Sequence, residues 1–106
     1  MLPLLALAAV SAVLDPSPAI SGDCNPTRIH FTGRITSGAA AKITYTWVRL
    51  NHPAGPAQTV ELDKPGSAPV SYDLFLRKSE DGAVMLRILL PSETESGKVR
   101  YRVTCK

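Results

Sequence analysis

Few residues in this 106-residue chain are equipped for chemistry, and their types and spacing narrow it quickly. Two cysteines, Cys24 and Cys105, stand near opposite ends. Thiols form disulfides, ligate soft metals or cycle electrons, and a structural disulfide persists only outside the reducing cytoplasm. The two histidines, His30 and His52, fall in separate segments. A hydrolytic centre would set a histidine beside a serine and a carboxylate, and no nucleophile-elbow motif occurs. A metal centre would need clustered ligands, which neither the histidines nor the cysteines supply by spacing. Asp63, Asp73, Glu80 and Asp81 lack the spacing of a calcium loop. The expectation is a chain without catalytic residues, metal or cofactor, with a small secreted hydrolase as the remote alternative.

The clearest charged feature is a basic row. Lys98, Arg100 and Arg102 alternate with Val99, Tyr101 and Val103, so the three cations share an outward face. Arg87 points outward from the preceding apolar-alternating segment and joins them if the two segments pair. Such a row attracts polyanions, among them teichoic acid, sulfated glycans and phosphate backbones. It serves equally well as a solvated face that keeps a sheet edge from pairing with another sheet. No aromatic residue interleaves with the cations, so bases would have no stacking platform and nucleic acid is not an expected partner. The net charge of +3 rises to +4 if the first nineteen residues are removed, because Asp15 is the only charge among them. That is well short of a nucleic-acid-binding tail.

Recognition also resides in loops. The Asn51 to Gln58 segment, with Asn51, His52 and Pro53 at its start, is apolar and stiffened by Pro53 and Pro56. A preordered loop loses less entropy on binding, which makes it the first candidate contact surface. A protein or cell-envelope partner fits such a surface, but the residues do not identify it. The acidic loop Ser92 to Ser96 lies beside the basic row and would offset it. Phe75, Met85 and Leu89 are outward apolar residues, and a shared face for Phe75 and Met85 would offer a docking surface.

The elements that must position these residues are strands. Apolar residues recur every second position at Ile29–Ile35, Ile43–Trp47, Val60–Leu62, Val70–Leu76, Val84–Leu90 and Val99–Cys105. Gly33 fills an inward slot of the first. Gly and Pro concentrate in the breaks between them, where turns need them. No window shows a helical period. A short additional strand is expected within residues 19–23. The fold class is therefore all-β, a two-sheet antiparallel sandwich of six to seven strands, with a small barrel as the other arrangement of this pattern. Phe31, Tyr45, Trp47, Leu74, Leu86, Ile88 and Tyr101 all take inward positions and form the expected core.

Strand parity makes the cysteines a geometric matter. If the six strands alternate in direction, the start of the first and the end of the sixth lie at one end of the sandwich. Cys24 and Cys105 sit at those two places, so a disulfide between them is expected.

Residues 1–19 differ from the rest. Leu2 to Leu14 is apolar apart from Ser11, too short to span a bilayer but of signal-peptide length. Small residues allow cleavage after Ala12 or Ala19, although no Lys or Arg precedes the apolar run. A buried N-terminal helix is disfavoured by Pro3 and by the Asp15-Pro16-Ser17-Pro18 break. Lipid attachment at Cys24 is disfavoured by Asp23 immediately before it, and Pro26 blocks Asn25 as a glycosylation acceptor. No later segment has membrane-spanning length. The expectation is a leader in 1–19 and one domain in 20–106, secreted to the extracellular space or periplasm.

Tyr45-Thr46-Trp47 on the second expected strand, behind Ile29-His30-Phe31 on the first, resembles the immunoglobulin-like sandwiches of bacterial secreted and cell-surface proteins. It is also similar to polycystic-kidney-disease-type domains, in which a core tryptophan on strand C packs across the two sheets. Those domains follow the tryptophan strand with Gly-Asp-Gly, whereas Val48-Arg49-Leu50-Asn51-His52-Pro53 stands here. The intersheet disulfide of antibody-type domains is absent too. The resemblance spans Cys24 to Cys105 and implies a non-catalytic spacer, adhesion or binding module. It supplies no ligand.

Overall fold

A computed structural model of the chain describes residues 9–17 and 19–106. The first eight residues of the expected leader, with Pro18, lie outside the described residues. Those described form strands β1 (Val10–Leu14), β2 (Ile20–Gly22), β3 (Thr27–Ser37), β4 (Ala41–Arg49), β5 (Gln58–Leu62), β6 (Gly66–Leu76), β7 (Glu80–Leu90), β8 (Thr94–Glu95) and β9 (Val99–Cys105). No helix occurs among them, so none is long and apolar enough to cross a membrane.

The strands make two sheets, ordered β1-β3-β6 and β2-β9-β7-β4-β5, with β8 added to β7. All pairings are antiparallel except β2 with β9. The chain is thus an all-β sandwich. Its strand pairings follow the alternation of the sequence: Ile29, Phe31 and Ile35 on β3 face Leu74, Tyr72 and Ala68 on β6, residue for residue.

The core lies between the sheets. Phe31, Tyr45, Trp47, Leu74, Leu86, Ile88 and Tyr101 are all buried in it. Its aromatic rings join the two layers. Trp47 of β4 stacks on Tyr72 of β6 at 5.5 Å, and Phe31 of β3 meets the edge of Tyr101 of β9 at 5.8 Å. Such pairs add to simple area burial and fix how the sheets register.

Two strands go beyond the alternating segments and the short strand expected within residues 19–23, which is β2. Val10–Leu14, read from composition as leader, pairs with β3 from Ser37 to Gly33. Either cleavage position, after Ala12 or after Ala19, lies within or beyond this strand. After β1 the chain changes sheets and joins the other at Ile20 as β2, so one segment serves both layers. The second is β8, two residues of the acidic loop.

The inward placement of Leu90 and the shared face for Phe75 and Met85 do not hold. Tyr45 faces Ile88, but Thr44 faces Leu90, leaving Leu89 as an extra residue in β7. This bulge turns Leu90 outward, where it is 57% exposed. Phe75 belongs to β6 and Met85 to β7, in different sheets, so their outward faces lie on opposite sides of the sandwich.

Cys24 and Cys105 are joined in a disulfide with their Cα atoms 5.5 Å apart. They close the end of the sandwich where β3 begins and β9 finishes.

Candidate functional site

The loop after β4 is held against that strand. Asn51 takes a left-handed conformation, φ +66°, which asparagine tolerates better than most residues. The turn closes with His52 N–H donating to Arg49 O at 3.0 Å. Further on, Gly55 N–H donates to Trp47 O at 3.0 Å, and Thr46 Oγ1 donates to Gly55 O at 2.7 Å. Tyr45 Oη donates to Gln58 Oε1 at 3.3 Å. Thr46 points away from the core, yet it is buried because the loop lies over it. The stiffness anticipated from Pro53 and Pro56 therefore has a second source in these bonds to β4.

A cleft opens on each side of the loop. One, of about 240 Å3, is lined by Trp47, Arg49, Tyr72, Pro53, Pro56 and Gln58 among others. Trp47 Nε1 and Arg49 Nε are buried without a hydrogen-bond partner among the described residues. The other, of about 220 Å3, lies on the outward face of β7 and brings Asn51 and His52 together with Arg87 and Lys98. Residues expected to act separately, a loop and part of a basic row, thus share one concavity.

The remainder of the row lies elsewhere. Arg100 and Arg102 line a different depression along β9, beside Asp81 and Gly82. The four cations are not equally free. Arg87 Nε donates to Glu95 Oε2 at 2.9 Å, and Arg102 Nε to Asp81 Oδ1 at 3.2 Å. Lys98 and Arg100 have no carboxylate within ion-pair distance among the described residues. Glu95 reaches Arg87 because β8 pairs with β7 opposite it.

Beneath the site runs a charged network. Arg49 Nη2 donates to Glu80 Oε2 at 2.7 Å, and Tyr101 Oη donates to the same oxygen. Burial alone would raise the Glu80 pKa, but the bonds from Tyr101 and Arg49 outweigh it and hold the carboxyl below its ordinary range. Burial and the bond to Glu80 push the Tyr101 phenol up. Gly82 leaves room for that phenol, since a Cβ at this position would come within 2.6 Å of Tyr101 Cζ.

Arg49 and Glu80 join the site without being expected there, although the sequence carries a signal for them. Arg49 continues the inward register of Ile43, Tyr45 and Trp47, and Glu80 that of Val84, Leu86 and Ile88. A charged residue on the core-facing period of two neighbouring strands requires a partner.

On the far sheet His30 Nδ1 lies 2.5 Å from Asp73 Oδ1, with Arg28 Nε at 3.7 Å from the same oxygen. The bond to His30 is the main cause holding the Asp73 carboxyl low. The group is solvent-exposed and lies in none of the clefts described. Among the described residues no three His, Cys, Asp or Glu side chains gather into a metal-binding set.

No protein-family model matches the chain, and neither does any curated protein. Solved structures do. The CARDB domain of the PF1109 protein from Pyrococcus furiosus, in complex with di-metal ions, superposes with a TM-score of 0.73 at 8% identity, covering 93% of this chain and 96% of that one. A β-glucosidase from Listeria innocua in complex with glucose matches with a TM-score of 0.62 at 10% identity, and the likeness covers 94% of this chain but only 17% of the enzyme. The alkylpurine DNA glycosylase AlkC of Pseudomonas fluorescens matches over 92% of this chain and 30% of its own, with a TM-score of 0.53 at 11% identity. At such identities the likeness is one of fold alone: this chain has the two-sheet immunoglobulin-like architecture that CARDB domains share.

Proposed function

We propose that the chain is a secreted, non-catalytic immunoglobulin-like module that binds another protein through the loop Asn51–Gln58. The observation that carries this reading is the loop itself, exposed at its tip yet bonded to β4 at Trp47, Thr46 and Arg49 and flanked by a cleft on each side. A surface already ordered in the free protein binds at lower entropic cost. The fold shared with CARDB domains supports a module rather than an enzyme. The disulfide supports export to the extracellular space or periplasm, as does the leader-like composition of residues 1–19. The finer kinship with polycystic-kidney-disease-type domains rests only on Tyr45-Thr46-Trp47 and its neighbours.

The test is site-specific photo-crosslinking in the secreted fraction of the producing cells. A crosslinker at Ala54, on the loop, should give one adduct that excess unmodified chain competes away. The same group at Lys64, at the opposite end of the sandwich, should not. No competable adduct at Ala54, or equal adducts at both positions, would overturn the reading.

A second reading is favoured by the unpaired Lys98 and Arg100: a polyanion or cell-envelope glycan binder using the basic face of β7 and β9. It requires salt-dependent retention on heparin or wall polymer that is lost in the Arg100→Glu, Arg102→Glu double variant. Indifference of the native chain to both polymers would end it.

A further inference from the structure

The turn after β4 and the outward face of β7 enclose the cleft of about 220 Å3 already described. Its walls carry Arg49, His52, Arg87 and Lys98, its apolar surface includes Leu50 and Met85, and no Asp or Glu lines it. Two of these cations already hold carboxylates of the chain itself, Glu80 on Arg49 at 2.7 Å and Glu95 on Arg87 at 2.9 Å. The fold thus displays the chemistry these groups accept. Lys98 remains without such a partner among the described residues.

An ammonium at a half-apolar cleft gains more from a carboxylate than one on an open face, because water is partly excluded and the effective dielectric falls. Leu50 and Met85 add apolar contact that a bare anion would not use. The cleft has the size of a single side chain. An extended polyanion, by contrast, draws its affinity from many uncommitted cations in line. Here Arg87 and Arg102 are neutralised by Glu95 and Asp81, which interrupts the line.

We infer that this cleft receives one acidic side chain of a partner protein, its carboxylate meeting Lys98 with His52 alongside, and a neighbouring apolar residue resting on Leu50 and Met85. The inference rests on the reading of the chain as a protein-binding module and names the group that such a module grips.

The probe is the synthetic peptide acetyl-Leu-Glu-Leu-amide, titrated into the oxidised, 15N-labelled full chain, with the Gln analogue and a heparin hexasaccharide run in parallel. The Glu peptide should shift the amide signals of Leu50, Asn51, His52, Met85 and Arg87 saturably. The Gln analogue should bind at least fivefold more weakly. Lys98→Gln should weaken the Glu peptide by a similar factor, whereas Lys64→Gln, the same charge change at the far end, should leave it unchanged. Equal binding of the two peptides, or no saturable shift at the cleft, overturns the inference. Heparin shifts running along Lys98, Arg100 and Arg102, without peptide binding, overturn it in favour of a polyanion. If the peptide fails while the competable crosslink at Ala54 persists, the acidic-side-chain assignment falls and the protein-binding reading stands. Loss of both removes that reading itself.

Discussion

Leu14 occupies the space that a side chain at position 33 would need. A Cβ on Gly33 would come within 2.5 Å of Leu14 Cδ2 and 2.6 Å of the Val13 carbonyl oxygen. The absence of a side chain at the inward slot of β3 is therefore matched by a leucine from the neighbouring strand. Asp15 extends the match, donating its N–H to Thr32 O at 2.9 Å and accepting from Thr32 Oγ1 at 2.6 Å.

Gly33→Ala should force β1 from its place and cost about 1–3 kcal/mol, the usual range for overpacking. A chain beginning at Ile20 should lose about 2 kcal/mol through uncovered apolar surface. It should also self-associate more readily through the bared edge of β3. Urea melts and size-exclusion chromatography of 1–106 against 20–106 check both effects. Equal stability of the two chains would favour a leader reaching residue 19.

Reduction of the Cys24–Cys105 bond releases a loop spanning a sequence separation of 81 residues. In the chain-entropy treatment that constraint is worth about 4.5 kcal/mol. For a domain of this size, whose whole net stability is of similar order, the reduced chain should be largely unfolded or close to it. Urea melts with and without reductant read the difference, and the Cys24→Ser, Cys105→Ser variant should match the reduced chain.

Glu80 makes stability depend on acid. Its folded pKa lies below the ordinary carboxylate value of 4.5, so the unfolded chain takes up a proton first as the pH falls. The contribution is complete above that value and is lost as the pH drops through the folded pKa. Thermal melts between neutral pH and the acid range should show this decline, and Glu80→Gln should flatten it. Glu80→Gln should also cost about 1–3 kcal/mol at neutral pH, because Arg49 and Tyr101 lose a charged acceptor at a partly buried position.

Thr46→Val removes the hydroxyl that holds Gly55 while keeping the shape of the side chain. A cost of about 1 kcal/mol is expected. The more telling readout is local. Amide exchange at Gly55 and His52 should accelerate, with the amides of β4 and β7 unchanged. Uniform acceleration across the sandwich would mean that the bond supports the fold rather than the loop.

Most of the fold was legible in the residues, for a physical reason. A strand with one face in the core writes its burial into every second position, as Ile43, Tyr45 and Trp47 or Val84, Leu86 and Ile88 do. Where burial is written in another way, the pattern fails. Val10 to Leu14 alternate in burial, but valine occupies both faces, so the residues carry no strand signal there. Thr94 and Glu95 are too few to show a period. The bulge at Leu89 leaves no mark in composition, so simple alternation puts Leu90 inward. The candidate site was legible only in pieces. His52, Arg87 and Lys98 were each visible, but the 35 positions from His52 to Arg87 hid the cleft they share.

The disulfide has a mechanical consequence. Tension applied from outside Cys24 and Cys105 passes directly across the sulfur bridge, bypassing the chain between the two residues. That chain, roughly 280 Å long if fully drawn out, stays unavailable for extension while the bond is oxidised. Among the described strands, β1 and β2 lie outside the bridge and can peel away. Under load the sandwich would behave as an inextensible link of fixed length, holding its loop at a constant distance from whatever it is tethered to.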